Sequence, residues 1–468
     1  MNQQLRVRFA PSPTGLMHLG NVRAALINAL FARKNDGISI LRIEDTDAQR
    51  TVDPAGKQIT QDLAWLGLTF DEGPYYQSKR THLYHEYLKK LIKTGRVYRA
   101  FETTEELEEM RQKQAEQGLP PRYDRRSLHL TSEEINNYLA QDKPYIWRFK
   151  LPDTSIVIHD IARGDISFDL SHFSDFPLTR QDGSFTFLFA NFVDDAHMKI
   201  THIFRGEDHL SNTANQAALY QACELPLPTF YHQPLLCNKN GKKLSKRDFG
   251  FSLNDLRTQG YLPEAILNYL AILGGSFKQE IMHFDQLVKE ITYDTSSPTG
   301  HIHFDLQKLQ WINHKWIARL APEEIATRCL PFLEKAYPQA TTLSMVQLTN
   351  IIKPITSDLV TLSDIGESLK FYFEEPVILQ TLLDTYHHQT YHVFFKDIVR
   401  FLEQAAVTPE DFFIHVKTTA KTHNYPLKEV FSLIRIALTG TAQGIGIKDL
   451  YSILGQDIVH RRLKRILV

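Results

Sequence analysis

The stretch RVRFAPSPTGLMHLGNVRAALINALFARK, residues 6–34, joins a strand pattern, a turn and a helix pattern. Residues 5–10 alternate apolar and basic side chains, which is typical of a strand, and Pro11 and Pro13 end that alternation. The run 21–34 then places apolar side chains on one helical face. The order predicts a strand that turns sharply into a helix.

A second strand pattern follows at 38–43 and carries Glu44 at its carboxyl end. Strand, helix and strand in this order predict a βαβ unit with parallel strands. Open α/β sheets bind ligands beyond the carboxyl ends of their strands. The unit therefore predicts one crevice that gathers Arg8, Ser12, His18 and Glu44.

Two distant tracts have the composition of a polyphosphate site. His18-Leu19-Gly20-Asn21 lies where the first helix begins, which is where phosphate groups are usually held. The second tract is a cationic loop within 239–247, and such a loop can close on phosphates as their charge moves during a reaction. Its cations are Lys239, Lys242, Lys243, Lys246 and Arg247. Together the tracts predict the two halves of one ATP site.

Composition indicates an ordinary globular protein of about three domains, with 468 residues, 43% hydrophobic content and a formal net charge of -1. The three cysteines, Cys223, Cys237 and Cys329, show neither metal-ligand spacing nor a disulfide framework, which suits a reducing compartment. No signal region and no long apolar stretch are seen, so a cytoplasmic protein without a membrane anchor is expected. A monomer is expected because no terminal coiled-coil pattern is present.

These tracts resemble the HIGH and KMSKS signatures of class I aminoacyl-tRNA synthetases, and the text between them resembles bacterial glutamyl-tRNA synthetases. The resemblance runs nearly end to end. It rests on RFAPSPTGLMHLGN (8–21), ILRIEDTD (40–47), WLGLTFDEGPYYQS (65–78), ANFVDD (190–195), IFRGEDHL (203–210) and KKLSKRDFG (242–250). Each motif is weak alone, but six in family order are a specific signal.

The resemblance implies an α/β fold with four parts. A Rossmann-type parallel-sheet catalytic domain would comprise 1–100 and 186–240, with an inserted α+β subdomain at 101–185 that contacts the acceptor arm. A stem-contact region with the KLSKR loop would follow at 241–320. Helical spacing after about 320 predicts an all-α region at 321–468, as in Ile351/Ile352/Ile355/Leu359/Leu362 and Val430/Leu433/Ile434/Ala437. The resemblance implies that this region binds the anticodon. Glutaminyl enzymes end instead in β-barrels.

The implied reaction activates L-glutamate with ATP and transfers it to the 3′ end of tRNA(Glu). It needs alignment and charge stabilisation rather than a covalent nucleophile. The resemblance implies His18, Lys243 and Lys246 as catalytic residues. It implies an ATP-binding set of Thr14, Gly15, His18, Gly20, Asn21, Glu207, Lys243, Ser245 and Lys246. Mg²⁺ is expected with ATP and without a protein cage of its own.

The glutamate-binding set implied by the family comprises Arg8, Ala10, Ser12, Glu44, Phe187, Asn191 and Arg205. Arg8 and Arg205 would bind carboxylate, because an arginine fork suits bidentate pairing, and Glu44 would bind the ammonium group. Taken alone, Arg205 or Glu44 would more often be a surface ion pair. Their matching strand-end positions favour the functional interpretation.

The chain departs from the family pattern at three places. Phe187 stands where many members have a tyrosine that contacts glutamate. The stretches 98–102 and 123–127 lack the thiols that bind zinc in some relatives, so no zinc is expected. No arginine occurs at 353–356, near the position where enzymes restricted to tRNA(Glu) often carry one. A nondiscriminating enzyme that also charges tRNA(Gln) therefore remains open.

Three further alternatives are weaker. A small-molecule nucleotidyltransferase would have no use for the helical region, and a synthetase-like enzyme that modifies a tRNA base would lack it. A noncatalytic tRNA-binding paralogue would be expected to lose His18 or Lys246, and both are present.

Overall fold

The computed structural model describes residues 4–46, 56–238, 240–242, 252–404 and 406–467. The chain divides into two compact units. The first is Met1–Leu256 with Ile266–Leu306, and the second is Arg257–Ala265 with Gln307–Val468.

Twelve strands are described, all before the long helical part of the chain. They are β1 Arg6–Phe9, β2 Ile38–Ile43, β3 Glu72–Tyr76, β4 Val97–Ala100, β5 Ile146–Phe149, β6 Ser155–Asp160, β7 Gly164–Asp169, β8 Phe176–Pro177, β9 His202–Gly206, β10 Thr229–Gln233, β11 Leu236–Cys237 and β12 Ile302–His303.

The helices occur throughout the described part of the chain, and α1 to α10 are interspersed with the strands. They are α1 Leu19–Lys34, α2 Lys57–Trp65, α3 Thr81–Lys93, α4 Thr104–Glu116, α5 Ser132–Ala140, α6 Phe187–His197, α7 Leu210–Ala222, α8 Leu253–Thr258, α9 Pro263–Ile272, α10 Phe284–Glu290, α11 Leu306–Ile317, α12 Pro322–Ala336, α13 Met345–Ile352, α14 Ile365–Ser368, α15 Lys370–Phe373, α16 Gln380–Thr385, α17 His392–Phe401, α18 Pro409–Thr422, α19 Leu427–Thr439, α20 Ile447–Leu454 and α21 Gln456–Lys464.

The predicted βαβ unit is confirmed: β1 and β2 are parallel, with Arg6 opposite Ile38 and Phe9 opposite Leu41. Five of the six residues of β2 are buried, as expected for a strand covered on both faces. The α1 helix is buried along most of its length, because it packs in the interior of the first unit. Its burial anchors the turn that precedes it.

The parallel sheet continues on the other side of β1. Thr201, the residue before β9, donates its N–H to the carbonyl of Arg6 at 3.0 Å, and its hydroxyl accepts from the N–H of Arg6 at 2.9 Å. β9 pairs in parallel with β10, and Arg205 lies opposite His232. The carboxyl ends of β1, β2 and β9 therefore meet at one edge of the sheet.

The segment predicted as an insertion contributes to two sheets. β4, β5 and β8 form an antiparallel sheet. The hairpin β6–β7 instead extends the catalytic sheet, because Asp160 pairs with Phe230 of β10. Capping boxes at Thr103 and Thr131 begin α4 and α5.

The second unit is helical in its described residues, as predicted. Val430, Leu433, Ile434 and Ala437 form the buried face of α19. The predicted helical spacing over 351–362 is only partly right, since α13 ends at Ile352 and a 3₁₀ turn follows at Lys353–Asp358. Pro354 explains the break, because proline lacks the N–H that an α-helix needs.

Candidate active site

A pocket of about 530 Å³ lies at the carboxyl ends of β1, β2 and β9. It is lined by the turn before α1 and by the first turns of α6. Twelve residues predicted from the sequence line it: Arg8, Ala10, Ser12, Thr14, Gly15, His18, Gly20, Asn21, Glu44, Phe187, Asn191 and Arg205. The fold thus brings the described part of both predicted sets, except Glu207, to one cavity.

The His18 turn is held by a reciprocal cap at the start of α1. The Nδ1 atom of His18 accepts from the N–H of Asn21 at 3.3 Å, and the Asn21 Oδ1 accepts from the N–H of His18 at 3.4 Å. A Cβ at Gly20 would lie 2.9 Å from the His18 Cε1 atom, so only glycine lets the backbone approach this ring. The helix amino terminus therefore faces the pocket with a fixed imidazole beside it.

The residues Lys243, Ser245 and Lys246 lie outside the described part of the chain. Ser252, just beyond that loop, forms a β-bridge with His18. Leu253 donates its N–H to the carbonyl of Met17 at 3.0 Å. Ser252 and Leu253, which follow the cationic tract in the sequence, therefore pair directly with the turn that carries His18.

A buried ion cluster forms one wall of the pocket. Arg8 donates to Asp195 at 3.0 Å, and the fully buried Arg42 donates to the same oxygen of Asp195 at 2.6 Å and to Glu44 at 3.2 Å. Burial alone would raise the pKa of Asp195, but the two guanidinium groups hold it below its ordinary value. Asp195 therefore compensates much of the charge of Arg8 and Arg42.

Glu44 is the least compensated carboxylate of this cluster. Burial raises its pKa to about 7 despite the opposing effects of Arg42 and Arg8. Its Oε1 also accepts a short hydrogen bond from the side-chain amide of Asn191. A carboxylate in this state can pair with an ammonium group that enters the pocket.

Arg205 is a buried cation that pairs with no carboxylate among the described residues. In the described chain its guanidinium donates only to neutral groups: Gln216 Oε1 at 2.6 Å, Thr213 Oγ1 at 2.5 Å and the His232 Nε2 at 3.5 Å. It is 8% exposed and lies 5.6 Å from the centre of the Phe230 ring. Burial, with the positive charge of Arg8, lowers its pKa to about 9. The pocket therefore contains a buried cation suited to an incoming anion.

Sequence reasoning missed several side chains that set this charge balance. Arg42 precedes Glu44 by two positions on β2, so a period-two pattern could have placed both on one face. Thr213 and Gln216 are three residues apart on α7 and so share a helix face. Nothing local connects Asp195 with Arg8, which is 187 residues away along the chain.

Comparison with family models gives two matches in chain order. Residues 4–311 match the class I tRNA synthetase catalytic domain for glutamate and glutamine, and residues 324–467 match an anticodon-binding domain. This chain belongs to the glutamyl-tRNA synthetase family of class I aminoacyl-tRNA synthetases.

Relatives align with it over nearly their whole length. It is 37% identical to glutamate–tRNA ligase 1 of Caldanaerobacter subterraneus subsp. tengcongensis, with 99% of this chain and 98% of the relative covered. It is 34% identical to the glutamate–tRNA ligase of Bacillus velezensis, with both chains covered completely. A crystal structure of a glutamate tRNA ligase from Elizabethkingia meningosepticum with its amino acid has a TM-score of 0.89, 32% identity and 99% coverage of each chain.

Two of the site residues predicted from the sequence have informative positions. Glu207 does not line the pocket: its carboxylate accepts from Arg163 at 2.8 Å and from the N–H of Leu235 at 2.9 Å. Its predicted role at ATP stays a prediction. Phe187 lines the pocket and packs against His209, with ring centres 6.0 Å apart.

Two features are absent from the described residues of this synthetase. No helix there is long and apolar enough to cross a membrane. No group of three or more histidine, cysteine or acidic side chains in the same part of the chain could hold a metal ion.

Proposed function

We propose that this protein is a glutamate–tRNA ligase that uses the pocket beside β1, β2 and β9 to join glutamate to ATP and then to tRNA(Glu). The single observation that carries the proposal is the charge balance of that pocket. Among the described residues Arg205 is a buried cation that donates only to neutral groups, and Glu44 is a buried carboxylate whose pKa is raised to about 7. L-Glutamate has the complementary groups, because it carries an ammonium group and two carboxylates.

Arg205 and Arg8 bind the carboxylates in this proposal, and Glu44 binds the ammonium group. Asn191 orients Glu44 through its side-chain amide. Ala10 and Ser12, which follow β1, and Phe187 also line the pocket. Glutamine would present a neutral amide to one arginine, which leaves a buried charge unpaired and disfavours it.

The nucleotide lies toward the His18 turn. The turn with Thr14 and Gly15 and the amino terminus of α1 with Gly20 and Asn21 face the triphosphate, and His18 donates to it. We assign Lys243, Ser245 and Lys246 to the same triphosphate, with Lys246 contacting the transition state as pyrophosphate departs. Mg²⁺ accompanies the triphosphate and supplies charge neutralisation there.

The remaining regions bind tRNA. We assign 1–100 and 186–240 to catalysis, 101–185 to the acceptor arm, 241–320 to the stem and 321–468 to the anticodon. Aromatic side chains of the helical region that could stack on bases include Phe371, Tyr372 and Phe373. Phe373 is stacked on Tyr337 at 4.6 Å and Phe371 is buried, so internal packing accounts for two of them. The enzyme is proposed to be a cytoplasmic monomer.

The test is charging of separate tRNA(Glu) and tRNA(Gln) transcripts with labelled glutamate and ATP. We expect charging of tRNA(Glu). Charging of both would identify a nondiscriminating enzyme, consistent with the absence of arginine at 353–356. Failure on both transcripts, with tRNA binding retained, would identify a noncatalytic paralogue and refute the proposal.

A further inference from the structure

A line of buried hydrogen bonds continues behind Arg205, away from the pocket. The Thr213 hydroxyl lies 2.8 Å from the Nε2 atom of His232, and the His232 Nδ1 atom lies 2.7 Å from Asp160. Thr213, His232 and Asp160 are all 0% exposed. We call these three residues the supporting chain of Arg205.

The charges within the supporting chain determine which ring nitrogen of His232 carries the proton. Burial alone would raise the pKa of Asp160, but hydrogen bonds from His232 and from backbone amides lower it, so the carboxylate is ionised. Burial lowers the pKa of His232 in spite of that contact, so the ring is neutral near pH 7. A carboxylate can only accept, so the ring proton is on Nδ1 and Nε2 is an acceptor.

This tautomer determines which acceptor atoms face the Arg205 guanidinium. The Nε2 atom accepts from the Thr213 hydroxyl and from the Arg205 Nε–H at 3.5 Å. The Thr213 hydroxyl has two acceptors within reach, the His232 Nε2 atom at 2.8 Å and the His209 carbonyl at 3.2 Å, and the nearer one takes its proton. The Thr213 oxygen then offers its lone pairs to the Arg205 Nη2–H at 2.5 Å. Two N–H groups on one edge of the guanidinium are thus held by acceptors whose orientation depends on Asp160.

The supporting chain crosses between two parts of the fold. Asp160 ends β6 and also accepts from the N–H groups of Ala162 and Arg163, both at 3.0 Å, at the hairpin turn. Arg163 donates in turn to the His232 carbonyl at 2.6 Å. The hairpin therefore fixes Asp160, and Asp160 fixes the ring on the neighbouring strand β10.

We propose that Thr213 and His232, oriented by Asp160, are positioning residues that hold the Arg205 guanidinium in the geometry that binds a carboxylate of the amino acid. The inference rests on the proposed function of Arg205. None of the three lines the pocket, so they act through Arg205 and not on substrate. A neutral support suits this role, because a carboxylate in direct contact would compete with substrate for the guanidinium.

The test compares Thr213→Val, which keeps the volume and removes the hydroxyl, with Thr213→Ser, which keeps the hydroxyl. Charging of tRNA(Glu) is measured over ranges of glutamate and of ATP, and thermal unfolding is recorded in parallel. We expect Thr213→Val to raise the KM for glutamate about tenfold with the KM for ATP within about twofold of the parent, since a hydrogen bond to a charged group is lost. Thr213→Ser should stay within about threefold for both substrates.

A second variant guards against misfolding of the first. Asp160→Asn removes the negative charge that holds the ring proton on Nδ1, so the tautomer with the proton on Nε2, where it faces Arg205, becomes accessible. It too should raise the KM for glutamate more than that for ATP. Parallel rises for both substrates, or an unchanged KM for glutamate in a folded Thr213→Val protein, would overturn the inference. An inactive parent protein would instead refute the proposed function.

Discussion

Replacing Gln216 by glutamate should make the protein more stable and a poor enzyme. The Oε1 atom of Gln216 lies 2.6 Å from the Nη1 of Arg205. Gln216→Glu therefore puts a carboxylate against a buried guanidinium that, in the described part of the chain, donates only to neutral groups. The new pair would occupy the guanidinium that we assign to substrate. Stability and substrate affinity should therefore change in opposite directions.

The size of the effect follows from the burial of Arg205. Lowering its pKa from 12.5 to about 9 corresponds to roughly 5 kcal/mol against the charged form. A carboxylate at Gln216 would recover part of this, reduced by its own desolvation, and we expect about 1–2 kcal/mol in the free energy of unfolding. Substrate would lose its partner and meet a like charge, so the KM for glutamate should rise at least ~100-fold.

The assay measures tRNA(Glu) charging over glutamate and ATP concentrations, with denaturant unfolding on the same samples. Gln216→Met serves as the matched control, because it keeps the size of the side chain and removes the acceptor without adding charge. It should lower stability by about 1 kcal/mol and raise the KM for glutamate only severalfold. A Gln216→Glu enzyme with an unchanged KM for glutamate would refute the assignment of Arg205 to substrate.

Three more predictions concern other parts of the pocket. Because burial raises the pKa of Glu44 to about 7, the ionised fraction of Glu44 decreases as the pH drops below 7. The KM for glutamate should therefore be about tenfold higher at pH 6 than at pH 8. The same group should make stability decline as pH rises from about 4.5 to 7, since the folded state keeps a proton that the unfolded state has lost; a flat KM profile would exclude Glu44 from ammonium binding. Phe187→Tyr should lower the KM for glutamate by about twofold to tenfold by adding a hydroxyl, and a raised KM in steady-state charging would show that the pocket wall has no room for it. Lys246→Ala should reduce kcat at least ~100-fold with the Kd for tRNA within about twofold, and unchanged turnover would remove this lysine from the mechanism.

The order of elements at the amino terminus was predictable because its signals are local. Alternation in β1, the prolines after it and the helical face of α1 lie next to one another in the chain, and the structure confirms each of them. The break after Ile352 was harder to predict, because buried side chains at 351–362 keep a helical spacing across Pro354. There the covalent constraint of proline prevails over the pattern.

The sequence by itself determined which residues stand at strand ends, and hence that Arg8, Glu44 and Arg205 reach one edge of the sheet. Only the tertiary structure decided which charges are compensated. Arg8 and Arg42 both donate to Asp195, which lies on α6 and is far from them in the sequence. Arg205 donates instead to the neutral groups of Gln216, Thr213 and His232, so its charge is available to a bound anion. The physical reason is that the strength of a charge depends on its burial and on its nearest partners, which the fold assembles from positions far apart in the chain.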